Sequence, residues 1–348
     1  MTLASRLITF LVFFTVSWGL WHLLDGFTYR LIIAAIPILL AVQMTLSDLL
    51  ESTLTRRIGY KTRWFTLLIA PGTILHEICH LLTALATGCT VTKAALFRPN
   101  PKTGVLGYVA YTQPTDKWVV LREFAVSFAP FFGCGLTLLA LNTITGGGLL
   151  SAINSQPITN TDQIITYAQG LLQSLASATS TLDYSKPATL ILIYLQLCFT
   201  AGAAPSGTDF RGAFTSLYKH IISAIIFIGL AALAVLLSQS YFHIAGYEGQ
   251  IASAAGLILN FTATITLLTI LLMIPLIAIA YTGSRITEIE GIAKTIPITS
   301  ALLAYYLLKE HYTTTNSLLI SAATLVATAI ALILTNPKKN PKNRNQPR

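Results

Sequence analysis

Two histidines and a glutamate lie within five consecutive residues, His76-Glu77-Ile78-Cys79-His80, which form an HExxH motif. On a helix, residues four apart lie on the same face, so His76 and His80 can ligate one metal ion. Glu77 can then reach a water molecule on that ion and act as a general base. The motif predicts a zinc site with two imidazole ligands and an open position for water. The alternative is a hydrogen-bonded pair of core histidines.

The chain around this motif is strongly apolar. Of its 348 residues 54% are hydrophobic and 10% are charged, whereas about 25% of the residues of soluble domains are charged. Apolar stretches of the roughly 20 residues needed to cross a bilayer recur from end to end. We therefore expect an all-α, polytopic integral membrane protein rather than a soluble domain. About eight or nine spans are predicted, at 7–24, 28–49, 64–88, 119–143, 187–204, 219–238, 253–281, 292–308 and 317–335.

The same pattern divides the chain into four parts. Residues 1–63 form an N-terminal transmembrane hairpin, and 64–217 form a core that carries the motif, with an insert at about 144–186. Residues 218–336 supply further transmembrane helices. The net charge of +9 is concentrated in loops and in the basic tail 337–348. We expect the tail either to contact anionic lipid or to be merely solvated, and no nucleic-acid partner is expected.

Lys and Arg mark the cytoplasmic ends of membrane helices. From residue 89 onward they fall in alternate loops, whereas 144–186 carry only Lys186 and 239–252 carry none. This pattern predicts that the motif helix runs from outside to inside, which places the site toward the cytoplasmic half of the cell membrane. Four basic residues before that helix oppose the pattern: Arg56, Arg57, Lys61 and Arg63.

A catalytic zinc ion needs a third protein ligand. Asp209 follows a predicted span in a segment where Gly202, Pro205 and Gly207 break the helix and let a carboxylate turn inward. The alternative is a turn residue paired with Arg211. Weaker candidates for the third ligand are Glu123, His243, Glu248, Glu288, Glu290 and the run Lys309-Glu310-His311.

The four cysteines lie in or beside apolar segments and form no CxxC pair. Neither a disulfide framework nor a cysteine zinc site is therefore expected, and their predicted role is packing. Cys79 is on the same helical face as the two histidines and is an alternative metal ligand. The others are Cys89, Cys134 and Cys198.

In these features the chain resembles a divergent member of the site-2 protease family of intramembrane zinc metalloproteases. The likeness consists of the motif helix, a β-rich loop, a span containing residues 129–135 (Ala-Pro-Phe-Phe-Gly-Cys-Gly) and a later Asp-bearing break. It implies that Asp209 is the third zinc ligand and that Glu77 is the catalytic base. Residues 204–209 read Ala-Pro-Ser-Gly-Thr-Asp, where the family commonly has Asn-Pro and Asp-Gly.

Residues 90–97 and 105–112 are rich in β-branched and aromatic residues and flank a Pro, Asn and Gly turn, which predicts a β-hairpin. Proteolysis of a membrane helix requires new hydrogen-bond partners for its unwound backbone, and an edge strand supplies them. We therefore expect Val105, Gly107 and Val109 to contact substrate. A plain surface hairpin is the alternative.

The expected function is zinc-dependent hydrolysis of peptide bonds within or next to transmembrane segments of membrane-protein substrates. Two alternatives stay open. A prenyl-peptide-processing type of membrane zinc protease would use a glutamate ligand, for which Glu288 and Glu290 are the candidates. A metal transporter would bind ions without peptidase activity.

Overall fold

The structure is a computed structural model, and it describes residues 3–25, 29–53, 63–100, 105–145, 158, 160–184, 186–204, 206–223, 225–226, 248–286, 295–311 and 314–335. Helices dominate these residues, as the apolar sequence predicts. In chain order they are α1 (Leu3–Leu23), α2 (Arg30–Thr53), α3 (Arg63–Ala86), α4 (Val119–Ile144), α5 (Thr161–Thr181), α6 (Pro187–Ala203), α7 (Gly207–Lys219), α8 (Glu248–Ile286), α9 (Ile296–Leu308) and α10 (Thr314–Thr335).

Five helical segments within the described ranges are long and apolar enough to cross a membrane: Arg30–Thr53, Ile69–Ala86, Val119–Ile144, Pro187–Phe210 and Gly256–Gly283. These five segments confirm the prediction of a mostly helical chain with several helices able to cross a membrane. They do not confirm the predicted count of eight or nine spans. Three further apolar helices are shorter, at Phe10–Leu23, Ile296–Leu308 and Ala323–Leu332. Most of the predicted span 219–238 lies outside the described residues, as does the tail 337–348.

The predicted hairpin is present between α3 and α4. Strand β1 (Thr90–Ala95) pairs antiparallel with β2 (Tyr108–Thr112), with a register shift between Val91 and Lys93. Two backbone hydrogen bonds extend the ladder beyond the strands, from Arg98 N to Leu106 O at 2.7 Å and from Asn100 N to Val105 O at 2.8 Å. The chain before β2 is thereby held against the chain after β1.

The main core lies where α1, α2, α4, α5, α6, α7 and α8 meet. Its largest fully buried side chains are Phe131, Leu138, Leu139, Leu171, Ile265 and Leu268. Polar contacts link helices inside this apolar bundle, as is common where lipid surrounds the helices. Gln43 on α2 donates to Thr269 Oγ1 on α8 at 2.8 Å, and the Tyr167 hydroxyl on α5 hydrogen-bonds Thr264 on α8.

Helix α5 lies in the predicted insert and is longer than the apolar positions 164–175 alone indicate. Asn160 caps its N-terminus by accepting a hydrogen bond from Gln163 N at 2.8 Å. Leu171 is fully buried in the main core, so this part of the insert packs against the bundle. Residues 146–157 lie outside the described part of the chain.

Candidate metal centre

Three metal-binding side chains from two distant parts of the chain converge. His76 and His80 on α3 and Asp209 on α7 offer ligand atoms that all lie within 4.8 Å of one another. His76 Nε2 is 3.4 Å from Asp209 Oδ2, and His80 Nε2 is 3.3 Å from Asp209 Oδ1. The two Nε2 atoms are 3.1 Å apart. The structure thus brings together the three residues that the sequence nominated as ligands.

These distances fit a single tetrahedral ion. Nitrogen and oxygen donors bound to zinc at about 2.0–2.2 Å are about 3.3–3.5 Å from one another. The separation of the two Nε2 atoms, and the distance from each of them to a different oxygen of Asp209, are close to this range. Two imidazoles and a carboxylate are a donor set of catalytic zinc sites. The same donors also form the facial triad of non-haem iron sites, so the donor set alone does not select the metal.

The carbonyl group of Gly202 orients His76. His76 Nδ1 lies 2.8 Å from Gly202 O, and because a carbonyl oxygen only accepts, Nδ1 carries the proton and donates it. The lone pair of Nε2 then faces the ligand cluster. Gly202 is in the last turn of α6, where carbonyl groups have no partner within the helix. The end of α6 therefore supplies the acceptor that fixes this imidazole.

The carbonyl group of Val126 on α4 orients His80 in the same way. His80 Nδ1 donates a hydrogen bond to Val126 O at 2.8 Å. In an α-helix this carbonyl normally accepts from the N–H four residues later. Here that residue is Pro130, which lies inside α4 and has no N–H. Pro130 thus leaves Val126 O available to His80. With both Nδ1 atoms donating, two nitrogen lone pairs and a carboxylate face one another, an arrangement that requires a cation or added protons between them.

Asp209 is fixed by the start of α7. Ser206 caps this helix: its hydroxyl accepts from Asp209 N at 3.1 Å and donates to Asp209 Oδ2 at 2.6 Å, while Ser206 N donates to the same oxygen at 3.0 Å. Next in the chain, Phe210 packs edge-on against Phe13 and Phe128, with ring centroids 5.0 and 5.4 Å apart. A capping box and a buried aromatic ring together set the direction of the carboxylate. The side chain of Arg211, its alternative partner, lies outside the described residues.

Glycines let α3 and α6 approach closely beside the ligands. A Cβ on Gly72 would lie 2.0 Å from Cys198 O, and a Cβ on Gly202 would lie 2.6 Å from Gly72 O. Both clashes are with backbone atoms, so neither can be relieved by a side-chain rotation. Only glycine at these positions allows the helix with the two histidines to reach the carbonyl that orients His76.

Glu77 lies beside the three ligands and under the hairpin. It is 8% exposed, and no hydrogen-bond donor among the described residues reaches its carboxylate. A Cβ on Gly107 would lie 2.7 Å from Glu77 Cγ and 2.7 Å from Leu96 O. The segment that leads into β2 therefore passes directly over this glutamate, and it does so because residue 107 has no side chain.

The hairpin is fastened to the start of α4. Gln113 Nε2 donates to Glu123 Oε2 at 3.1 Å, and the Tyr111 hydroxyl hydrogen-bonds the same carboxylate. Burial, together with the Glu123 charge, raises the pKa of Tyr111 above its ordinary value, so its hydroxyl stays protonated and donates at neutral pH. Glu123 therefore holds β2 rather than joining the ligand cluster.

Arg122 ties the two ends of the hairpin together. Its Nε donates to Thr87 O at 2.9 Å, at the end of α3. Its two terminal nitrogens donate to the Asp116 carboxylate at 2.7 and 2.8 Å, and these hydrogen bonds hold the pKa of Asp116 below its ordinary value. The segments before β1 and after β2 are thus joined to α4 by one side chain.

Among the residues that the structure describes, no other candidate ligand joins the cluster. The Cys79 sulphur lies against Gly133 and the Cys134 thiol. Lys309 lies over the ring of Tyr306 at 4.4 Å, at the end of α9. His243, Glu288, Glu290 and the side chain of Glu248 lie outside the described residues.

Sequence reasoning missed the residues that orient the ligands. Gly202 and Val126 act through their backbone carbonyl groups. Every residue type has this group, so the sequence does not indicate which residues would serve as acceptors. Pro130 was a usable signal, because a proline inside a helix frees the carbonyl four residues earlier. Ser206, three residues before an aspartate, has the spacing of a capping box.

Comparison with protein-family models finds no match for this chain. Comparisons with curated proteins and with solved structures likewise find no match. The functional assignment therefore depends on the residues of the site.

Proposed function

We propose that this chain is an intramembrane zinc metallopeptidase of the site-2 protease type, with His76, His80 and Asp209 as zinc ligands and Glu77 as general base. The proposal rests on one observation: two imidazoles and a carboxylate converge at the spacing of a metal-ligand set, with a second carboxylate one residue from the first imidazole. When bound, zinc supplies a Lewis acid that polarises the scissile carbonyl group and lowers the pKa of a water molecule.

Glu77 is suited to moving the proton in this reaction. The residue is largely buried, and its carboxylate receives no hydrogen bond from the described residues, so it is available to accept a proton from the attacking water. It then donates that proton to the leaving amine. A positioned general base of this kind contributes about 10²- to 10⁴-fold to the rate.

The hairpin offers a surface for the substrate backbone. Among the described residues β2 pairs only with β1, so the other edge of β2 can hydrogen-bond an extended peptide. Val105 is exposed, Gly107 contacts Glu77, and Val109 pairs with Ala94. A peptide added along this edge would lie next to the base, which supports substrate binding by these three residues.

The apolar helices around the site support a membrane-embedded substrate. The motif lies within Ile69–Ala86, and Asp209 lies within Pro187–Phe210, two of the segments long enough to cross a membrane. A peptide bond that reaches this site must come from a segment in the bilayer or at its edge. We place the site toward the cytoplasmic half, on the distribution of Lys and Arg in the sequence.

The test is cleavage of a generic transmembrane-helix substrate by the purified full-length protein in lipid nanodiscs. Glu77→Gln is expected to keep bound zinc and to lower cleavage by about 10²- to 10⁴-fold. Asp48→Asn, which changes a partly buried carboxylate on α2 outside the ligand cluster and the hairpin, is the control and should keep both. Undiminished cleavage by Glu77→Gln would contradict the assignment of the base. Zinc transport into liposomes without chelator-sensitive cleavage would contradict the proposed activity.

A further inference from the structure

Two of the four cysteines, Cys79 and Cys134, lie next to each other where α3 packs against α4, close to the metal centre. The Cys79 thiol on α3 lies beside the Cys134 thiol on α4. The Cys79 sulphur occupies the space beside Gly133, where an added Cβ would lie only 2.3 Å from it. None of the four cysteines is in a disulfide. The pair therefore consists of two reduced thiols in contact across a helix interface.

The two thiols differ in accessibility. Cys134 is fully buried, whereas Cys79 is partly exposed and lines an apolar groove of about 880 Å³ between α2, α3, α4 and α8. Leu82, Phe132 and Leu136 stand along the groove and are 60%, 42% and 56% exposed. An apolar groove on the outside of a membrane bundle admits lipophilic molecules more readily than ions.

We propose that Cys79 and Cys134 are an oxidisable pair, which a lipid hydroperoxide converts to a disulfide that disables the metal centre. The Cys79 sulphur attacks the O–O bond, which gives a sulfenic acid on Cys79 and releases the lipid alcohol. The Cys134 thiol then attacks that sulphur, forms the S–S bond and releases water. The two thiols lose two electrons, and the hydroperoxide is reduced to alcohol and water.

The effect on the metal centre rests on the proposed function and follows from the neighbours of the pair. Cys79 stands between the two histidines on α3. Cys134 Sγ is 3.3 Å from the place of a Cβ on Gly202, whose carbonyl orients His76. An S–S bond is much shorter than a contact between two thiols, so oxidation draws α3 toward α4. Loss of hydrogen bonds that orient ligands lowers metal affinity about 10- to 100-fold.

The experiment uses the full-length protein in nanodiscs, with cumene hydroperoxide as the probe. Peptide mapping by mass spectrometry locates disulfides, and competition with a fluorescent chelator measures zinc affinity. We expect a Cys79–Cys134 disulfide and at least about a tenfold fall in zinc affinity, both reversed by dithiothreitol. Cys134→Ser should form no disulfide and should leave a sulfenic acid on Cys79 that dimedone traps.

Cys89→Ser and Cys198→Ser are matched controls, because each removes a buried thiol outside the pair; both should behave as the wild type does. Absence of the Cys79–Cys134 disulfide after treatment would overturn the proposal, as would formation of the disulfide with unchanged zinc affinity. A wild-type protein that binds no zinc before oxidation would overturn the proposed function. In that case the disulfide map would still show whether Cys79 and Cys134 are oxidised to a disulfide.

Discussion

His80 donates a hydrogen bond to the carbonyl oxygen of Val126, and Pro130 leaves that oxygen without a partner inside its own helix. Prolines inside transmembrane helices are tolerated where a neighbouring group satisfies the freed carbonyl. Here the neighbouring group is the imidazole of a metal ligand. The proline inside α4 and the orientation of a ligand on α3 are therefore linked.

Pro130→Ala is expected to weaken metal binding without destabilising the fold. Alanine restores an N–H that competes with His80 for Val126 O, so zinc affinity should fall about 10- to 100-fold. The helix gains a hydrogen bond, so the melting temperature of the metal-free protein should not fall. Pro275→Ala is the control, because Pro275 is inside α8 and outside the site. An unchanged zinc affinity in Pro130→Ala would refute the link.

Ser206→Ala is expected to affect both helix stability and the metal site. It removes the cap of α7, at a cost of about 1 kcal/mol, and it removes the hydroxyl that donates to Asp209 Oδ2. Zinc affinity should fall about 10- to 100-fold.

Asn160→Ala is the control for Ser206→Ala, since it removes the cap of α5 at a similar cost. It should lower the melting temperature by a similar amount and leave zinc affinity unchanged. Equal zinc affinities in the two variants would show that Ser206 acts only as a cap.

Gly107→Val is expected to lower the turnover number at constant zinc content. Its Cβ would clash with Glu77 Cγ and with Leu96 O, so either the base or the hairpin must move. Displacement of a catalytic group by about 1 Å can cost about 100-fold in rate. Ala94→Val, at an exposed position of β1, is the control and should retain activity. Steady-state kinetics measures the turnover number, and metal analysis measures the zinc content of each variant. A normal turnover number in Gly107→Val would show that the hairpin does not position Glu77.

The local parts of the site could be predicted from the sequence because they depend on spacing along one element. His76 and His80 are one helical turn apart, and the strand composition around 98–104 indicates the hairpin. The Gly and Pro residues at 202–207 predict a break before Asp209, and α6 does end at Ala203 before α7 begins at Gly207. Each of these features is encoded within a few residues.

The parts that could not be predicted depend on long-range packing. The acceptor carbonyls of Val126 and Gly202 are 46 and 126 residues from their histidines. The number of spans also depends on where helices begin. The predicted span 292–308 is short and interrupted by Lys294 and Pro297, which is why the sequence allows eight spans as well as nine. The helix there, Ile296–Leu308, has 13 residues, which is shorter than the roughly 20 needed to cross a bilayer.

The central claim is that His76, His80 and Asp209 hold one metal ion, and metal analysis of the purified full-length protein tests it most directly. We expect about one zinc ion per chain in the wild type. Asp209→Asn, His76→Ala and His80→Ala should each lose most of it, and Glu123→Gln should retain it. A wild type without bound divalent metal, or an Asp209→Asn variant with the zinc content and affinity of the wild type, would contradict the account.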